Sequence, residues 1–294
     1  MIVAVASGKG GTGKTTLTAS LATLWDGPLV AVDLDVEEPN LHLFLRPDIS
    51  AQEAANLLVP AVDEAKCTYC GQCADFCQFA ALAVAENLIL TFADMCHGCG
   101  GCLAICPEKA MAPGQRQLGE ILSGRAGRVE FLSGRLRIGE AMSPPLMRQV
   151  KARMERWLAA RGGDALIDAP PGVSCPAMNA VMDSDVVVLV TEPTPFGVYD
   201  FQLAWEAFAP LGKPIGAVVN RAGLGGHDAI YRFCREKNLP ILAEIPYDRA
   251  IAEAYSRGRI IAQVSLELRD IFTGLLDRIR ELARLTQAGE VAHA

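Results

Sequence analysis

Short apolar runs alternate with amphipathic stretches over much of the chain. Ile2–Ser7, Leu29–Asp33, Ala165–Asp168, Val186–Thr191, Ile215–Asn220 and Ile241–Ile245 are short and hydrophobic with no polar alternation, the pattern of strands buried on both faces. Thr15–Leu24 and Pro144–Leu158 read as helices, and Leu266–Leu285 sets Leu268, Ile271, Phe272, Leu275, Leu276, Ile279 and Leu282 at core spacing. The alternation predicts an α/β fold with a mostly parallel sheet flanked by helices. Val129, Phe131, Leu136 and Ile138 around Ser133-Gly134 predict a hairpin. The polar face of the last helix mixes four Arg with four acidic residues, whereas a membrane-seeking helix is enriched in cations. That helix is expected to pack on the core, and the tail Gln287–Ala294 to be disordered.

The rhythm breaks between about Val62 and Pro113. Eight of the ten cysteines lie there, in the runs Cys67-x2-Cys70-x2-Cys73-x3-Cys77 and Cys96-x2-Cys99-x2-Cys102-x3-Cys106. Each cysteine of the first run recurs 29 residues later in the second. This is the spacing by which a short chain wraps two [4Fe–4S] cubes, the fourth thiolate of each run crossing to the other cube. The expected sets are Cys67, Cys70, Cys73 and Cys106 on one cube, with Cys77, Cys96, Cys99 and Cys102 on the other. Zinc is the rival for Cys-x2-Cys pairs, but zinc ribbons do not usually repeat x2-x2-x3 twice. The stretch resembles bacterial two-cluster ferredoxins, an α+β module, with one departure. Cys77 is followed by Gln78, where Cys106 is followed by the expected Pro107. His97, between two ligands, is expected to face solvent. The chain thus divides into a first part of one domain (1–61), an insert (62–113) and the second part of the outer domain (114–294).

Composition narrows the setting. At 294 residues, 51% of them hydrophobic, the chain can build a substantial core, and no run reaches the length of a membrane span. The apolar start, Met1–Ala6, lacks a basic leader. Cysteines spaced as metal ligands and not as disulfides point to a reducing cytoplasm. Net charge is −7 with no Lys/Arg block, so neither nucleic acid nor stable membrane insertion is expected.

Immediately after the first strand comes Gly8-Lys9-Gly10-Gly11-Thr12-Gly13-Lys14-Thr15-Thr16. A Gly-rich turn between strand and helix surrounds phosphate oxygens with backbone N–H groups, Lys14 reaches the β- and γ-phosphates, and the Thr15 hydroxyl binds Mg²⁺. With its second lysine, Lys9, the loop resembles that of the deviant-Walker ATPases: MinD and ParA, the nitrogenase iron protein and the Mrp-type cluster carriers. The resemblance implies that Lys9 crosses to the nucleotide of a second copy in an ATP-bound homodimer; otherwise Lys9 is a solvated loop residue. It places Asp35 as holder of the attacking water and Asp33 on the magnesium shell, unless both merely cap the second strand. Asp168-Ala169-Pro170-Pro171-Gly172 matches Walker B and switch II, with Asp168 holding a water of the Mg²⁺ shell and Gly172 offering an N–H to the γ-phosphate. Asn220 and Pro246 match the adenine-contacting segments; the alternative is that Asn220 simply caps its strand. Gly223, where guanine-specific relatives carry an aspartate, favours ATP.

The whole chain resembles MinD-superfamily ATPases containing an inserted ferredoxin domain. This implies an ATP-hydrolysing protein that couples dimer closure to electron transfer, or to iron–sulfur or metallocofactor assembly, on an unidentified partner. Two other classes share the architecture. A MinD- or ParA-like positioning ATPase needs a membrane helix or basic DNA face. A cobyrinic acid a,c-diamide synthase-like ligase normally carries a glutaminase domain, for which this chain has no room. Cys175 follows the Walker B aspartate by seven residues, the offset at which the nitrogenase iron protein ligates its shared cluster. Two chains supply only two such thiols, and Cys234 is expected within a core helix. Cys175 is thus a bridging ligand, a transient contact for a cluster or partner, or a packed thiol of switch II.

Overall fold

The computed structural model describes residues 1–224 and 228–292, with side chains as far as Leu285. The strands are β1 (Ile2–Ala6), β2 (Leu29–Asp33), β3 (Asp48–Val62), β4 (Leu82–Ala85), β5 (Leu88–Thr91), β6 (Met111–Ala126), β7 (Val129–Leu136), β8 (Asp164–Asp168), β9 (Val186–Thr191), β10 (Ile215–Ala222) and β11 (Ile241–Pro246). The helices are α1 (Lys14–Leu24), α2 (Leu41–Leu45), α3 (Gln72–Phe76), α4 (Gly101–Ile105), α5 (Ser143–Arg161), α6 (Cys175–Val181), α7 (Pro195–Phe208), α8 (Asp228–Glu236), α9 (Arg249–Ser256) and α10 (Leu266–Ala292).

Two compact units emerge: Met1–Gln52 with Ile121–Arg135 and Met147–Ala294, and Glu53–Glu120 with Leu136–Leu146. In the first, the strand order β11-β10-β9-β1-β8-β2-β7 is parallel at every described pairing from β11 to β7. The expected apolar runs form its centre: Val3, Ala4, Val5, Val30, Ala31, Leu166, Val187 and Val188 are fully buried. Parallel strands end along one edge, where α/β sheets bind ligands. Here that edge gathers the residues that follow β1, β2, β8, β9, β10 and β11. The apolar stripe of α10 packs as expected, with Leu268, Phe272, Leu275, Leu276 and Ile279 in the core and Ile271 and Leu282 beside it. The disordered tail expected over Gln287–Ala294 lies outside the residues with described side chains, and α10 continues to Ala292.

The hairpin expected at Ser133-Gly134 is not formed. β7 runs straight through both residues, with Ser133 buried and in register with Asp33 of β2. The chain reverses earlier, at Gly127 (φ +60°), between the neighbouring strands β6 and β7. Alternation marked the strand, and a Ser-Gly pair inside it mimicked a turn. Two long strands at the sheet's end, β3 and β6, escaped the sequence reading because their exposure follows no clean period of two.

In the second unit the 29-residue repeat is visible in the backbone. α3 and α4 are displaced by that interval, as are the positive-φ pairs Tyr69/Gly98, Gly71/Gly100 and Ala80/Lys109. β4 and β5 form an antiparallel pair in register Val84↔Ile89.

Candidate nucleotide site and cysteine cavities

Between β1 and α1 the loop Gly8–Gly13 turns through Gly11 (φ +77°) and Gly13 (φ +98°), which caps the helix from the left-handed region. Gly13 is required twice, since any Cβ there would also strike the side-chain amide of Asn220. A Cβ on Gly8 would run into the backbone of Asp200 on α7. The Thr12 hydroxyl is buried with no hydrogen-bond partner, a polar atom facing inward with an unused capacity.

Lys14, at the start of α1, is 7% exposed among Asp168, Asp35 and Asp33. Burial holds its ammonium below the ordinary value, although all three carboxylates favour the charge. Asp168, at the end of β8, is pushed up to about 6 by burial, against the pull of Lys14 and a hydrogen bond from the Thr15 hydroxyl. Asp35 is raised to about 6, again by burial against Lys14. Asp33 is raised well above its usual range by burial and by the charge of Asp168. Its two oxygens accept from the backbone N–H groups of Asp35 (3.1 Å) and Leu41 (2.9 Å), so it anchors the loop that carries Asp35. Thr16 spends its hydroxyl on the Gly13 carbonyl (2.9 Å). Gly172 (φ +89°) donates its N–H to the Ser7 carbonyl at 2.9 Å, beside the loop.

These shifts carry a sign. A carboxyl raised on folding binds its proton more tightly in the native state, so stability falls as pH rises from the unfolded pKa through the folded one. Nucleotide-free protein should therefore melt several degrees higher at pH 5 than at pH 7. His42, lowered by burial and Arg135, opposes this weakly. Mg-ATP should reverse the trend, because the cation favours the ionised carboxylates. Calorimetry with and without Mg-ATP checks both parts; a flat profile between pH 5 and 7 refutes the carboxylate cluster as its source.

Asn220 and Pro246 lie at the ends of neighbouring strands β10 and β11. Asn220 donates to the Thr12 carbonyl at 2.7 Å and accepts from the Arg221 N–H at 2.9 Å, so its amide both clamps the loop and caps the strand end. Arg221 (φ +55°) donates to the Gly11 carbonyl at 3.2 Å. Neither Arg221 nor its partner Glu192 was anticipated from sequence. Glu192 follows β9, is 5% exposed, and pairs with Lys9 (2.5 Å) and with Arg221. Burial works to raise its pKa, but the Lys9 hydrogen bond and the Arg221 charge outweigh it and leave the carboxyl below its usual value. In this structure Lys9 is thus a paired side chain, 27% exposed, and not a solvated one.

In the second unit, two cavities divide the cysteines. One is lined by Cys67, Cys70, Cys73 and Cys106. The other is lined by Cys77, Cys96, Cys99 and Cys102. Ala81 N–H donates to the Cys77 sulfur (3.3 Å), Ala110 N–H to Cys106 (3.2 Å) and Gly98 N–H to Cys96 (3.4 Å). Burial pushes the Cys73 thiol up, with Cys67 and Cys70 adding to it; Cys102 is raised likewise by burial, then by Cys96 and Cys99. Among the described residues, no three His, Cys, Asp or Glu side chains converge as a single-ion site requires. His97 is exposed and stacks on Phe79, with ring centroids 3.5 Å apart.

Cys175 is the first residue of α6 and is exposed, which removes the packed-thiol reading. Cys234 is buried in α8 as expected, its thiol raised to about 11 by desolvation. Among the described residues no helix is long and apolar enough to cross a membrane.

A profile of the CobQ/CobB/MinD/ParA nucleotide-binding domain matches residues 3–261. An uncharacterized protein of Methanocaldococcus jannaschii is 30% identical over 261 residues, 88% of this chain and 90% of its own length. Among solved structures, the septum site-determining protein MinD of Pyrococcus horikoshii, complexed with Mg-ADP, superposes with a TM-score of 0.60 at 22% identity, over 96% of both chains. The cell division ATPase MinD of Pyrococcus furiosus gives 0.59 at 23% identity, over 96% of this chain and 98% of its own. At such identities the superpositions establish the fold.

Proposed function

The chain belongs to the CobQ/CobB/MinD/ParA nucleotide-binding family, and from that premise we propose an Mg-ATP-hydrolysing switch that carries two [4Fe–4S] clusters. It couples ATP-dependent homodimerisation to electron transfer, or to iron–sulfur or metallocofactor assembly, on a partner protein. The observation that carries the cluster half is the division of the eight cysteines between two cavities, each taking three thiols of one run and the last of the other. The donor set also fits. A single ion needs its ligands at one point, whereas a cube holds four thiolates at separate corners, and backbone N–H groups aimed at sulfur suit an anionic cluster. When bound, such clusters supply one-electron chemistry.

For the nucleotide half, the orphaned Thr12 hydroxyl, the positive-φ glycines and the buried Lys14 suit a triphosphate. Thr15 and Asp168, hydrogen-bonded to one another, would share a magnesium shell. Asp35 orients the attacking water. Phosphoryl transfer needs mainly positioning and charge compensation, so Asp35→Ala should keep ATP affinity, slow turnover about 100-fold or more, and accumulate the closed dimer. Unaltered single-turnover rates would refute that role. Lys9 reaches a second copy's nucleotide only by leaving Glu192. Lys9→Ala should therefore raise the ATP concentration for dimerisation about tenfold or more while the monomer still binds ATP; light scattering with ATP and with ADP checks this. Dimerisation equal to the parent's would remove Lys9 from the interface.

A second reading, a positioning ATPase, is favoured by the fold shared with septum-determining MinD. The two separate on one anaerobic preparation: the first requires iron and sulfide in the purified chain. The second requires an iron-free chain whose fluorescent fusion relocates with nucleotide state.

A further inference from the structure

The two cysteine cavities share a backbone but not a rim. The 29-residue repeat preserves the left-handed positions, the short helices and the amide bonds onto Cys77 and Cys106. At the first cavity the lining side chains include Thr68, Gln72 and Glu108. The counterparts of Thr68 and Glu108, 29 residues away, are His97 and Phe79, which line the second; that of Gln72 is Gly101, beside Phe76. Gly101 leaves space for the ring of Phe76, which a Cβ there would strike. Phe79 lies flat on His97, 7° from parallel. With Leu58 they give the second cavity an apolar mouth in which Phe76, Phe79 and Leu58 stay 47%, 42% and 39% exposed. Single exposed hydrophobes need no explanation, but three sharing one cavity mouth do.

Resting on the two-cluster reading above, we propose that the Cys77/Cys96/Cys99/Cys102 cavity is the port for electrons, and that a redox protein with a basic surface docks on its Leu58/Phe76/Phe79/His97 rim. Charge selects that occupant. The second unit holds nine Asp and Glu against four Lys and Arg, so it carries −5 of the chain's −7. Thiolate-ligated clusters add further negative charge. Asp75, next to Phe76, is exposed. A basic ring around an apolar centre complements this, and it steers encounter without tight binding, as suits the small, transient interfaces of electron-transfer pairs. The polar rim of the first cavity offers no such contact.

The step is one electron and no atoms: iron in the reduced protein is oxidised, and the ferric haem of the acceptor becomes ferrous. The test uses the full chain, reduced with dithionite and desalted, against ferric cytochrome c as a basic protein acceptor and hexaammineruthenium(III) as a small one. F76S/F79S should slow cytochrome c reduction about tenfold or more and leave the ruthenium rate, iron, sulfide and low-temperature EPR spectrum unchanged. The parent's cytochrome rate should fall steeply with salt. Tyr69→Ser, on the first cavity, should alter neither rate. If F76S/F79S loses iron, Phe79→Lys replaces it: by repelling the basic acceptor it should slow cytochrome c most at low salt. Parental cytochrome rates in a fully loaded rim variant, or a rate controlled by Tyr69, would overturn the proposal while leaving the clusters standing. Nucleotide-independent self-association that F76S/F79S abolishes would show the rim to be a contact between copies, and overturn it too. A parent chain without iron and sulfide sinks the two-cluster reading itself and this port with it.

Discussion

Lys14→Ala is expected to abolish ATP turnover, a loss of at least about 100-fold, or about 2.7 kcal/mol in the barrier. Lys14 lies among Asp33, Asp35 and Asp168, and it is nearly fully buried there. Its ammonium offsets part of the mutual repulsion of those carboxylates, and in the nucleotide site proposed above it would reach the β- and γ-phosphates. The alanine variant loses the phosphate contact and leaves buried carboxylates without their cation, so their pKa values should rise further. Isothermal titration with a non-hydrolysable ATP analogue should show no binding at concentrations that saturate the parent. Iron and sulfide should be unchanged, because the cysteines belong to the other unit. Binding that survived in the variant would move the triphosphate site elsewhere.

The second large effect is on metal content. Anaerobically purified protein should hold about eight iron and eight labile sulfide per chain. Cys70→Ser should remove roughly half of each, and Cys99→Ser the other half, since the two thiols line different cavities. Each variant should keep one EPR signal. The crossing makes a sharper demand. Cys106→Ser should cost the same cluster as Cys70→Ser, although it lies in the other run, and Cys77→Ser the same cluster as Cys99→Ser. Thiol substitution leaves the nucleotide-site side chains in place, so basal ATP turnover serves as the folding control. One zinc per four cysteines without sulfide would refute the cluster reading.

Much of this was legible in one dimension. Glycines, lysines and threonines of the phosphate loop are contiguous, because a turn that wraps a phosphate is built from successive backbone N–H groups. The buried strands declared themselves because strands covered on both faces lose their polar alternation. Cysteine spacing was equally local: α3 and α4 each follow a left-handed glycine within their own run. The apolar runs of the parallel strands were legible locally, whereas Ser133-Gly134 misled because a turn signal is also local and β2 overrode it by pairing with β7. Strands β3 and β6 were invisible for the converse reason, since their stability comes from neighbours and not from their own pattern.

The remaining features depend on strand order, which no window of the chain encodes. β9 lies beside β1, and that alone brings Glu192 to Lys9, 183 residues away. Because β10 adjoins β9, Arg221 reaches the same carboxylate, while Asn220 and Arg221 hold the carbonyls of Thr12 and Gly11. In the second unit the sequence determined which residues are thiols. Folding decided that Phe76 and Phe79 share a mouth with Cys99 while Glu108 faces the twin cavity. Chemistry carried by consecutive residues is written in the chain; chemistry assembled from side chains on different strands exists only once the sheet has chosen their neighbours.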